Sequence, residues 1–285
     1  QRVSVGAPYF NRMAVPLALA MIVLMGVGPL VPWGVADPRT LGRRLAVPTA
    51  VGLATVGGLG LAGLRGVGPV LTFGLAAFVV ATIPAQFAAG ARAVRQGHDT
   101  GWARALALAV TRRRRLYGGL VVHTGVVLAA VAIAASSAYG SEGEQRLEIG
   151  DSFSVGSHTA TLVGIDSERT DRRMAISARV ALSRGGRDLG VHAPALSFYP
   201  SASQAIGTPS VDSGALRDAY LVLTSVNDAR TAATIRLALN PLVPWLWVAG
   251  GVMVAGALFA GWPGRRPRPA TPAPPPVPVA EEITS

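Results

Sequence analysis

RRRRLYGGLVVHTGVVLAAVAIAASSAY runs from Arg112 to Tyr139, and its reading decides the architecture. Four arginines open it, and an apolar run, Leu116 to Ala135, follows. As a helix that run is close to the roughly 20 residues needed to cross a hydrocarbon core of about 30 Å. Arginines flanking such a run mark its cytoplasmic end. Inside it sits His123, roughly 12 Å along the helix from Arg115. An ionisable group at that depth is expected to be neutral and to face protein rather than lipid.

Four similar runs lie outward from this one, at 13–31, 45–64, 69–89 and 241–262. With 116–135 they make five candidate transmembrane helices. The apolar stretch Ala103 to Val110 is too short to span and is expected to lie along the interface beside Trp102 and Arg104. Only 14% of residues are charged and half are apolar, against about a quarter charged in soluble domains. Cysteine is absent, which excludes disulfides, zinc–thiolate sites and CxxC redox chemistry in this chain. The opening at Gln1 reads as a fragment or a processed chain.

The net charge of +11 invites a nucleic-acid reading, but the placement of the arginines argues against it. The loop before the second run holds Arg39, Arg43 and Arg44, and the connection 90–115 holds Arg92, Arg95, Arg104 and Arg112 to Arg115. Arg265, Arg266 and Arg268 follow the last run. With five spans all of these fall on one side, which the positive-inside rule makes cytoplasmic. No phosphate loop is present either: VGGLGLAGLRG is a glycine-rich span without the lysine and strand–turn–helix context of a nucleotide site.

Residues 139–239 are a different material. Ten arginines there oppose 11 acidic residues, and apolar residues alternate. SHTATLVGI (157–165), RMAISARVALS (173–183) and TAATIRLAL (231–239) read as strands. Gly185-Gly186 reads as a hairpin turn. The fold class expected is a polytopic α-helical membrane protein of five transmembrane helices with one extracytoplasmic all-β domain of about 100 residues and seven or so strands. Residues 1–135 would form the first membrane region and 241–262 the fifth helix. The Pro-rich segment 263–285 is expected to be a disordered cytoplasmic tail.

The residues leave two readings of His123 open: an interhelical hydrogen bond from a neutral imidazole, or ligation of a cofactor. Gly119, one turn earlier, is expected to leave space for a close neighbour. His98, in the cytoplasmic connection, and His158 and His192, in the β domain, read as solvated surface groups. PYFN (8–11), Trp245 and Trp247 read as interfacial aromatic anchors.

Three stretches carry a family resemblance: Ser4 to Trp33, Arg112 to Tyr139, and Asn240 to Gly256. In the β domain LSFYP (196–200), Gln204, TPSV (208–211) and DAYLVLT (218–224) add to it. Together, in this order, they resemble the C-terminal half of the CcmF/NrfE haem lyase family of cytochrome c maturation. The resemblance implies a haem b held in the membrane between histidines of two helices, with His123 as one axial ligand to the iron. It implies a subunit that takes part in covalent haem attachment to apocytochrome c on the outer face of the bacterial inner membrane, the haem b relaying electrons from a donor such as quinol. The β domain would be periplasmic. Implied partners are the haem chaperone CcmE, a CcmH-type subunit and apocytochrome c, with no nucleic acid. The tryptophan-rich segment and the second haem ligand of the family are not in this chain and would come from the N-terminal half. No catalytic residue is assigned. The competing readings are a haem transporter or exporter subunit, with broken helices near Gly57, Gly58 and Gly60, and a structural assembly subunit without its own cofactor.

Overall fold

Apolar composition drives six helices, and strict alternation drives a sheet domain inserted between the last two. The computed structural model describes residues 7–31, 38–201 and 204–263. The segment 264–285, and with it the Pro-rich tail, lies outside the described residues, as do the side chains of the PYFN anchor at 8–11.

The helices are α1 (Ala7–Val27), α2 (Pro38–Leu61), α3 (Val67–Gly97), α4 (Trp102–Arg112), α5 (Arg114–Tyr139) and α6 (Pro244–Gly261). All but α4 are long and apolar enough to cross a membrane. Most of their surface faces outward, with Leu17, Met21, Leu24, Val47 and Leu53 all exposed. Such apolar exteriors suit lipid or further protein. The α4 helix instead buries Ala105 and Ala109 against α3 and α5, half-buries Leu108 and Val110 beside them, and exposes the rest. Arg95 stacks over the Trp102 ring at 4.8 Å, tying the α3 terminus to α4.

Between α5 and α6 stands an antiparallel β-sandwich of ten strands. One sheet has the order β1 (Ser141–Glu148), β10 (Ala232–Pro241), β9 (Arg217–Val226), β8 (Ser210–Ser213). The other has the order β2 (Ser152–Val155), β3 (His158–Arg169), β4 (Met174–Arg184), β6 (Ala195–Phe198), β7 (Ile206–Thr208), with β5 (Arg187–His192) also on β4. Inward positions of both sheets meet in one core. Leu162, Val180, Leu182, Leu221, Leu223, Ile235, Leu237 and Leu239 are sealed in it. The β4–β5 hairpin turns at Gly185 and Gly186, whose φ values of 55° and 83° are the left-handed pair a two-residue turn requires.

The sandwich is seated directly on the helices. A single residue, Gly140, separates α5 from β1, and Leu242 and Val243 separate β10 from α6. A Cβ at Gly140 would stand 3.0 Å from the Ser136 carbonyl, so the chain turns there without room for a side chain. Trp245 donates its indole N–H to the Ala215 carbonyl at 2.9 Å, which pins the start of α6 to the β8–β9 loop.

Candidate functional site

The α5 helix presents three faces. The first meets α6 through small residues: a Cβ on Gly118 would lie 2.7 Å from the Gly256 carbonyl, and one on Gly125 would lie 2.8 Å from the Ala249 carbonyl. Small residues let the two backbones touch, as membrane helix pairs do. The second face meets α1 and α3. Leu120 packs with Ala91, Val94 and Phe87, and Val127 with Ile22, Ala76, Phe78 and Val79.

His123 belongs to the third face, with Gly119, Val126, Ala130 and Ile133 at helical spacing. This face is open at Gly119, Val126 and Ile133, while Ala130 packs against the cluster of Ile22, Ala76 and Val79. Nothing lies within 4 Å of a Cβ at Gly119, and Ile133 is 56% exposed. The neighbour expected at Gly119 is therefore absent among the described residues; the close approaches of α5 are made by Gly118 and Gly125 instead. Glycine pairs in sequence do not say which of the two turns toward a helix supplied from a hundred residues away.

His123 itself is half-buried, and its Nδ1 is buried without a hydrogen-bond partner. An interhelical hydrogen bond from that nitrogen is thus not made by any described residue. Thr124, its neighbour, is satisfied by the Leu120 carbonyl at 3.0 Å, and the buried Thr82 of α3 by the Val79 carbonyl at 2.7 Å. A lone imidazole in an apolar wall suits one axial position of a haem iron. No second histidine of the described helices approaches it by position, since His98 is exposed at the far end of α3. No group of three or more His, Cys, Asp or Glu that could hold a bare metal ion occurs among the described residues.

The remaining histidines correct one expectation. His158 is not on the surface: it is 4% exposed at the start of β3, where inward alternation with Ala160 and Leu162 carries it into the end of the sandwich nearest the helices. Burial, and then Arg184 and Arg217, hold its imidazole below the usual range, with Asp212 pulling the other way. His192 is half-buried, and its Nδ1 meets the Ser210 hydroxyl at 3.1 Å, joining β5 to β8 across the sheets. The glycines of α2 do not break it: the helix runs through Gly57, Gly58 and Gly60 to Leu61.

Comparison with known proteins matches the sandwich and the helical region around it. Residues 138–241, the whole sandwich, match the family described as CcmF C-terminal beta-sandwich. The chain is similar to the C-terminal part of CcmF. It is 28% identical to the cytochrome c-type biogenesis protein CcmF of Pseudomonas aeruginosa, across 91% of this chain and 38% of that protein. It is 26% identical to CcmF of Escherichia coli over 90% of this chain and 38% of the relative. A solved structure of the cytochrome c heme lyase CcmF superposes with a TM-score of 0.68 at 31% identity, covering 90% of this chain and 41% of that one. The chain thus spans about 38% of the length of these curated CcmF relatives.

Proposed function

We propose that this chain is the C-terminal part of a membrane haem lyase component of cytochrome c maturation, with His123 as an axial ligand to a haem b. The observation that carries the reading is His123, a half-buried imidazole whose Nδ1 has no partner, on a side of α5 that is open at Gly119. A buried polar atom without a partner is costly, and a ligand or a further segment on this face removes that cost. The five apolar helices cross the bacterial inner membrane. All described arginines of the connections 38–44 and 90–115 lie at the helix ends opposite the sandwich, so that end is cytoplasmic and the sandwich is periplasmic.

His123 binds and orients. Its imidazole projects from the side of α5 that also carries Gly119 and Val126. When bound, the haem supplies one-electron transfer, for which quinol is the donor the family resemblance implies. The second ligand and the tryptophan-rich segment come from the N-terminal half, which covers the open face of α5. The sandwich, with Val191, Phe198 and Ile206 exposed outside its apolar core, docks the haem chaperone CcmE, a CcmH-type subunit and apocytochrome c. Haem is then attached to the apocytochrome cysteines on the periplasmic side, and this chain contributes no thiol of its own.

The test is an optical spectrum of the full protein purified in detergent beside His123→Ala. A reduced low-spin haem b spectrum that is lost in the variant, with helical circular dichroism unchanged, supports the reading. An unchanged spectrum in His123→Ala removes it.

A further inference from the structure

Two cavities open on either side of the turn between α4 and α5. One, of about 620 Å³, is lined by Arg112, Arg113, Arg114 and Arg115 together with the end of α6 at Ala260 and Trp262. The other, of about 370 Å³, shares Arg112 and Arg113 and reaches between α3 and α5 to Gly90 and Tyr117. A positive charge count on one side of the membrane needs no cavity. Here the arginines wall two of them.

Two polar atoms at these cavities are held out of water with no partner: the Nε of Arg114 and the hydroxyl of Tyr117. Tyr117 is 1% exposed. Its ring packs on Phe87 with centroids 4.7 Å apart, and its hydroxyl lies over Gly90, where any Cβ would collide with it. None of the four arginines forms an ion pair among the described residues; the three ion pairs there all lie in the sandwich. The first turn of α5 has no acidic residue and its Ncap, Arg113, makes no side-chain cap. The first N–H groups of α5 lie in this turn, as do the last carbonyls of α4, whose C-cap is the same Arg113. Guanidinium groups and an unpaired hydroxyl both require one kind of partner, an anion rich in acceptor oxygens.

We propose that the α4–α5 turn is a binding site for the phosphate-bearing headgroup of an anionic phospholipid, seated in the smaller cavity between Arg112, Arg113 and the Tyr117 hydroxyl, which donates to it, with Arg114 and Arg115 adding charge from the other side of the turn. The lipid source is favoured by what adjoins the arginines. Leu116 lines both cavities, and Ala260 and Gly261 line the larger one, at the ends of two helices apolar enough to span. The α4 helix lies alongside with one small-residue face buried, in the manner of an interfacial helix. Acyl chains would take the apolar side and the headgroup the arginines. The inference rests on the membrane placement above and is independent of the haem reading.

The full-length protein is delipidated stepwise in detergent, and native mass spectrometry counts the phosphatidylglycerol that remains. The wild type keeps phosphatidylglycerol where it releases phosphatidylcholine. R113Q/R114Q weakens retention by about thirtyfold, and Y117F, which keeps the ring packing, by about fivefold. R104Q removes one arginine charge from an exposed α4 position outside both cavities and leaves retention unchanged. Four results overturn the proposal: no retention by the wild type, equal loss in R104Q, wild-type retention in Y117F, or displacement by millimolar inorganic phosphate, which would mark a soluble-anion site. Should the double arginine variant fail to insert, Y117F alone decides. Failure of the membrane placement shows separately, as extraction of the chain without detergent.

Discussion

Gly118 of α5 and Gly256 of α6 exclude each other's side chains reciprocally: a Cβ on either would stand within 2.8 Å of the other's carbonyl oxygen. The close approach recurs at Gly125 and Ala249, one spacing of seven residues further along each helix. This seam sets how closely α5 and α6 approach beneath the sandwich. Gly118→Val is expected to lower stability by about 1–3 kcal/mol through overpacking. Gly119→Val, one residue away on the open face, is expected to cost far less in the isolated chain. Thermal unfolding of the two variants in detergent makes the comparison, and equal losses would remove the seam.

His123→Ala is expected to lower haem occupancy of the full protein at least tenfold, the scale on which loss of a coordination contact acts. The midpoint potential of whatever haem remains is expected to shift, because axial ligation sets it. Absorbance of the reduced protein per mole of chain measures the first effect. Redox titration measures the second.

The sandwich is expected to lose stability in mild acid through His158. The unfolded chain protonates this histidine as pH falls through 6.5, whereas the buried native imidazole resists the proton. The unfolded state then binds more protons, so stability falls below pH 6.5 and is regained above it. Asp218 acts in the opposite sense. Burial raises it above 3.8 against hydrogen bonds from Ser213 and Gly214, so its native contribution is greatest in acid and fades as pH rises through its native value. The two are separated by comparing wild type with His158→Gln. The difference in melting temperature between them is expected to change between about pH 5 and about pH 7.5. A pH-independent difference would rule out this linkage.

Trp245→Phe keeps an aromatic ring at the start of α6 but loses the 2.9 Å hydrogen bond to Ala215. A loss of about 1 kcal/mol is expected. Amide exchange in residues 214–217 is expected to rise, while exchange in the β3–β4 core stays unchanged. Exchange that rises throughout the sandwich would show that this bond holds the domain together rather than its loop.

The helices were legible because an apolar run of spanning length has few alternatives, and β3, β4 and β10 because their alternation persists over ten or more residues. Four further strands, β2, β6, β7 and β8, have three or four residues each. Period-two alternation cannot be read over that length, which is why ten strands stand where about seven were expected. The position of His123 within an apolar helix was visible in the chain, but the emptiness of its face was not. That depends on Gly118 and Gly125 turning α5 toward α6. The cavities at Arg112 to Arg115 were equally hidden, since Trp262 reaches them from the other end of the chain. His158 was misread because its charge type suggested water while its strand phase led inward.

Gly140 and the pair Leu242–Val243 leave no slack between helices and sandwich, and both strands that continue those helices, β1 and β10, are zipped to each other from Ser141 opposite Leu239 upward. The helix pair and the strand pair therefore form one stiff arm. Strands of 11 residues such as β4 carry it about 35 Å from its base. A tilt of roughly 10° in α5 and α6 would sweep the far rim of the sandwich through about 6 Å. A rocking of this helix pair would therefore be felt as mechanical displacement at the far rim of the sandwich, where docking is proposed.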